Sequence, residues 1–279
     1  MRHEETTLPS GLRGEIRAPT ADEVLKYAIS TRRNTTDAVR AILKNCWLRT
    51  IDPGPYKPAP GDEGWDVDQL LSVDGAVLWV RVRVLGFGAL QPYKHQCPNT
   101  GCELSSQLVP APPADLSKIP ITVMPDWARK RFVEGQFFET TIEERKVLFR
   151  LSTRKLEREA EQRLGEIPQG GDSAVREAAV AIWTRNFAAE LLVEVEGVSK
   201  GEFQAWVGNL AGGDWDDLQY AIEQASGKID RSVDTQCLKC GMVVRRDPPF
   251  DDGWFKKYRP TLPETPAGTP SASAASQTG

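Results

Sequence analysis

Four of the five cysteines stand in two short clusters whose spacing suits metal chemistry. HQCPNTGC, His95 to Cys102, sets two thiols around a Pro-x-x-Gly turn. TQCLKCG, Thr235 to Gly241, repeats the device with a two-residue spacer. Zinc in a structural role takes four thiolates in a closed tetrahedron, and each half of such a site is a tight turn that aims two sulfurs at one point. CLKCG meets that need, because Gly241 permits the positive φ that turns backbone N–H groups toward sulfur. Gly101 is expected to do the same in CPNTGC. The expected ligands are therefore Cys97, Cys102, Cys237 and Cys240, holding one structural Zn²⁺. The alternatives are two local disulfides, free or redox-active thiols, and a zinc ribbon that binds nucleic acid together with a partner. His95 is expected beside the site or exposed.

Cys102 and Cys237 are 135 positions apart. A metal shared between them would close a long loop and make the two halves of the chain one cooperative unit. Four thiolates leave no open position for a substrate, so such a metal is a staple rather than a catalyst.

The elements that must bring the knuckles together follow from punctuation and periodicity. Residues 1–19 read as an extended N-terminal arm with one strand at most. Thr20 and Glu23 have capping-box spacing and start a helix. A second helix carries Ala38, Ile42, Leu43, Cys46 and Trp47 on its apolar face, Cys46 being a small core residue. IDPGPYKPAPGDEG, Ile51 to Gly64, is a loop. WDVDQLL suggests a short helix, and Ala76 to Leu85 a helix that turns into a strand near Val84, with Arg81 and Arg83 on one face. A strand is expected around Ser105 to Val109. Gln136 to Ile142 and Lys146 to Leu151 form a hairpin, and Ser152 or Thr153 caps the helix after it. Ser173 to Ser226 is the clearest helical block, with Leu191 and Val195 in its first helix. The expected architecture is α+β, mostly helical with a small β-hairpin or strand region, its halves joined by a four-cysteine structural zinc site. The divisions are the arm 1–19, a mixed half 20–151, a helical half 152–260 and a disordered tail 261–279.

Composition excludes several classes. With 279 residues, 40 % hydrophobic and 27 % charged, the chain can bury a real core. A net charge of −4 argues against a protein built to coat nucleic acid. No apolar run reaches the roughly 18 residues of a membrane span, and MRHEETTLPSG lacks the apolar core of a secretory signal. Two histidines, with no acid placed beside His95, do not make a triad. GxGxxG, GxxxxGK[ST] and HExxH are absent.

Several stretches taken in order resemble the baseplate hub proteins of T-even-type phages. They are the opening LPSGLRGEIRAPTADEVL, a helix ending KNCW, WDVDQLL, VRVRVLGFG with a cysteine pair after it, and FFETTIEERKVLFRLST. LAGGDWDDLQYAIEQASGKID and a closing CLKCG before Trp254-Phe255 complete the order. The likeness spans residues 8 to 257 and rests on order and spacing. This chain lacks the basic residue after Leu-Pro-Ser and has four spacer residues in its first knuckle.

The resemblance implies a non-enzymatic structural or assembly component of a contractile tail or phage-derived injection system, with baseplate or hub proteins as partners. It implies a place in the host cytoplasm during assembly, and in the particle if the protein stays. Leu8 and Pro9 in the arm, and Trp254 and Phe255 near the end, are the candidate partner contacts, large aromatics being strong interface anchors; the aromatics could instead fold back onto the second knuckle. The competing function is a zinc-ribbon nucleic-acid adaptor using Arg245, Arg246, Lys256, Lys257 and Arg259. A Mg²⁺ enzyme would use Asp214, Asp216 and Asp217, which read more simply as helix-start acids.

Overall fold

The computed structural model describes residues 2–30, 35–107, 109–164, 173–230, 232–246 and 255. Strands β1 (His3–Thr7) and β2 (Arg13–Arg17) form a hairpin, and β3 (Trp47–Asp52) adds antiparallel to β2. Helices α1 (Ala21–Ser30) and α2 (Thr35–Cys46) lie between β2 and β3 in the chain. The capping box forms at the start of α1. Thr20 Oγ1 accepts from the Glu23 amide at 3.3 Å, and Glu23 Oε2 accepts from the Thr20 amide at 2.7 Å.

The N-terminal stretch is thus a docked hairpin, not an arm. Its alternating side chains put Leu12 and Ile16 inward, and both are fully buried. Its turn, Leu8-Pro9-Ser10-Gly11, is held from below by Asp74. Asp74 Oδ1 accepts from the Ser10 amide at 3.0 Å, and Oδ2 accepts from the Ser10 and Tyr56 hydroxyls at 2.5 Å each. Tyr56 Oη in turn accepts from the Leu71 amide at 3.0 Å. Burial pushes the Asp74 carboxyl above its usual range, against the pull of these donors. Trp47 opens β3 instead of closing a helix, and its ring lies over Gly14, where a Cβ would come within 2.2 Å of it.

WDVDQLL is a 3-10 turn, Val67–Gln69, and helix α3 (Ser72–Phe87) follows. The expected change to strand near Val84 does not occur. The Val-Arg alternation mimics a strand, but Val82 and Arg83 are both fully buried because α3 is surrounded by the rest of the chain. Arg83 ends the helix by donating to the carbonyls of Gly88 and Leu90, where its charge faces the negative end of the dipole.

A two-stranded ribbon follows. β4 (Leu90–Gln91) and β5 (Lys94–His95) pair with β7 (Ala114–Asp115) and β6 (Val109–Pro110), respectively. The strand expected from Ser105 shrinks to β6, with a 3-10 turn at Glu103–Ser105. After β8 (Ile121–Thr122) and α4 (Asp126–Val133), the predicted hairpin appears as β9 (Phe138–Ile142) and β10 (Arg145–Phe149). Glu143 and Glu144 turn it with φ of 49° and 62°. Then come α5 (Arg154–Leu164) and α6 (Ser173–Leu191). Past Leu191 the helical reading fails: Leu192–Val195 is a strand, β11, because β10 has a free edge that a β-branched segment can pair. Helices α7 (Phe203–Asn209) and α8 (Gly212–Ser226) follow, then β12 (Lys228–Ile229), which returns to pair with β8. A last ribbon joins β13 (Val233–Gln236) to β14 (Val243–Arg246).

The fold is mixed α+β, with several small antiparallel sheets; less than half of the described chain is helical, so it is not mostly helical. One apolar core runs from Leu8 to Phe255 and includes residues from both expected halves and from the expected arm. The tail 261–279 lies outside the described residues.

Candidate metal centre

Each cysteine pair sits at the tip of a ribbon. Cys97 and Cys102 lie between β5 and β6, and Cys237 and Cys240 between β13 and β14. In the first knuckle the Cys97 amide donates to the Leu104 carbonyl at 3.2 Å, and the Cys102 amide to the Asn99 carbonyl at 2.9 Å. Asn99 Oδ1 accepts from the Gly101 amide at 3.0 Å, so a side-chain turn shapes this knuckle. Gly101 does not take up a positive φ, contrary to expectation. Gly241 does, at 73°, with its amide donating to the Cys237 carbonyl at 2.9 Å.

The four sulfurs come together within 4.8 Å of one another. Cys97 Sγ lies 3.6 Å from Cys240 Sγ, and Cys102 Sγ 3.8 Å from Cys237 Sγ. Both contacts run between knuckles. A disulfide would need about 2.05 Å, and the thiols are free. A tetrahedron of thiolates with metal–sulfur bonds of about 2.3 Å has edges of about 3.8 Å. The group therefore could hold a metal ion, and a tetrahedral all-sulfur set suits zinc or iron.

The electrostatics fit the same use. The amides of Cys240 and Lys239 point at the Cys237 sulfur and pull its thiol down to about 6. Burial pushes Cys97 up to about 12, outweighing the Asn99 amide. The Leu104 amide lowers Cys102, but burial and the neighbouring sulfurs of Cys237 and Cys240 leave it raised. Four thiolates this close cannot all ionise without a cation between them. Backbone N–H groups aimed at sulfur in both knuckles are what a metal-bound thiolate needs.

A contact that sequence reading missed lies below the metal centre. The hydroxyls of Tyr93, just before β5, and Thr235, on β13, share a hydrogen bond, and both residues are buried. Neither residue type nor spacing signals such a pair across 142 positions. Above it, Lys239 Nζ meets Glu103 Oε2 at 2.8 Å in an exposed bridge between the knuckles. The apolar partner of the site is Leu104, and this small cluster is separate from the main core.

The other candidates are placed differently. His95 is buried on β5 and is not one of the converging ligands. Cys46 is fully buried in the main core, as expected. Leu8 is 1 % exposed and Pro9 is buried, so the docked turn withdraws both from the surface as partner contacts. Phe255 is also withdrawn. It packs against Tyr27, Trp79 and Phe87 with ring centroids 4.9, 5.0 and 5.3 Å away, on α1 and α3 and not on the knuckle. Trp254, Lys256, Lys257 and Arg259 lie outside the described residues. Arg245 is engaged by Asp230 and by Ser232 Oγ, the latter at 2.6 Å. Asp214, Asp216 and Asp217 stand in the first half of α8, and the cysteines are the metal-capable group found among the described residues. No helix there is long and apolar enough to cross a membrane. Comparison with family models, curated proteins and solved structures gave no match.

Proposed function

We propose that the chain is a non-enzymatic structural or assembly component of a contractile-tail baseplate, in the hub region, working as a zinc-stapled protein–protein adaptor. The observation that carries the adaptor reading is the convergence of four sulfurs from two ribbon tips whose inner cysteines are 135 positions apart. Zinc is the ion of choice for a closed four-thiolate site with no open position, and it supplies rigidity there. The ordered likeness of residues 8 to 257 to T-even-type hub proteins supplies the baseplate context and, with it, assembly in the host cytoplasm.

An adaptor needs a partner surface. The second ribbon presents Leu238, Met242 and Val243 to solvent, 75 %, 43 % and 58 % exposed, on a tip that zinc would hold still. Protein purified without added metal should carry about one zinc per chain by elemental analysis. It should also co-purify with hub, tube or baseplate proteins of the same tail. A zinc-loaded monomer that ignores all of them would overturn the baseplate reading while leaving the metal centre intact. Salt-sensitive binding to nucleic acid between about 0.05 and 0.2 M would turn the assignment to the nucleic-acid adaptor.

A further inference from the structure

The four ligands are not equally sheltered. Cys97 and Cys237 are each 2 % exposed and Cys102 8 %, whereas Cys240 is exposed. In a metal-bound centre every ligand is a thiolate, so access decides which one an oxidant meets first. Cys97 Sγ, on the opposite knuckle, lies 3.6 Å from Cys240 Sγ, within a cluster whose four sulfurs all lie within 4.8 Å of one another. The fifth thiol, Cys46, is closed off in the main core.

We propose that the centre is a peroxide-sensitive clasp, in which Cys240 is oxidised first, Cys97 closes a disulfide on it, and the metal leaves while the two ribbons stay joined. This rests on the metal-centre reading above. The Cys240 thiolate attacks a peroxide oxygen; an S–O bond forms, the O–O bond breaks, and the departing hydroxide takes a proton to become water. The Cys97 thiolate then attacks Cys240 sulfur; the S–S bond forms, the S–O bond breaks, and a second hydroxide is protonated. Two thiolates lose two electrons, hydrogen peroxide becomes two waters, and two protons are consumed. With two donors gone, the remaining pair, Cys102 and Cys237, holds the ion weakly. The new bond spans 143 positions and runs between knuckles, so oxidation exchanges one cross-link between the ribbon tips for another.

The test uses the full chain loaded with zinc and treated with hydrogen peroxide. Released zinc is followed with a chromophoric chelator, and unreduced digests are mapped by mass spectrometry. Zinc release should rise in step with a Cys97–Cys240 linked peptide, Cys46 should stay reduced, and a thiol reductant should restore zinc binding. Cys240→His keeps a fourth ligand without the exposed thiolate and should slow release about tenfold. If that variant does not retain zinc, the pair mapped in the unmodified chain decides alone. Zinc retained through oxidation, or a first link between any other pair, overturns the proposal. A chain that carries no zinc before peroxide overturns the metal reading instead.

Discussion

The main core and the cysteine centre hold the same chain together by different means. The core joins strands, helices and loops from Leu8 to Phe255 through contiguous apolar burial, with Phe138 stacked on Phe149 at 5.6 Å. The cysteine centre lies apart from it, with Leu104 as its apolar support. Each fully buried large side chain in the core is worth roughly 1.5–3 kcal/mol. The ribbon tips bury little apolar surface beyond Leu104 and the cysteines, so a metal bound there would supply most of their order. The difference teaches that no metal staple is needed to unite the two halves, since β12 on β8 and β11 on β10 already do so. A metal there would fix how the two ribbon tips face each other.

The sharpest way to break the comparison is to remove the ligands. Cys237→Ser with Cys240→Ser should abolish metal binding, a term of about 10–16 kcal/mol in small zinc domains. Hydrogen exchange should then show amides around 96–105 and 236–243 opening, while amides of β9, β10 and α3 stay protected. Equal loss in both regions, or no loss at the tips, would contradict the division. Next in size is the core. Phe149→Ala should cost about 3–5 kcal/mol in urea unfolding and lower the protection of the whole molecule together.

Asp74→Ala should cost about 2–3 kcal/mol, because it leaves the Ser10 amide and the hydroxyls of Ser10 and Tyr56 buried without their acceptor. Smaller still, Tyr93→Phe should cost about 1 kcal/mol and loosen the ribbon bases without releasing metal, a split that chelator titration would detect.

The last prediction concerns pH. Arg17, bonded to both oxygens of Glu23, and the Thr20 amide hold the Glu23 carboxyl at about 2, against about 4.3 in an unfolded chain. The fold prefers the carboxylate, so this contribution is complete above about pH 5 and fades as pH falls toward 2. Glu23→Gln should lower stability by about 0.5–1 kcal/mol at neutral pH and flatten that part of the acid dependence, read by thermal melts.

Local signals carried some of this structure. The Thr20–Glu23 box, the hairpin at Phe138–Phe149 and the helix over Arg154–Leu164 depend on side chains within a few residues, and each formed as read. The four cysteines that could hold a metal were legible for the same reason, since each knuckle is a local turn. Errors came where distant packing overrode the local pattern. Val80 to Val84 alternates like a strand yet lies in a helix buried all round. Leu192 to Val195 continues a helical spacing but completes a sheet. Leu8 and Pro9 looked like a free arm because no nearby residue reveals Asp74, 64 positions after Ser10.

By itself, then, the amino-acid order determined which thiols are paired in each turn, the helix starts and the tight hairpin, all set by short-range sterics and hydrogen bonding. That the two knuckles face each other, which sulfurs touch across the gap, and which thiol is left open to solvent were decided only in three dimensions. Those features follow from how Tyr93 meets Thr235 and how the ribbons leave the core, contacts between residues whose separation in sequence carries no local signal.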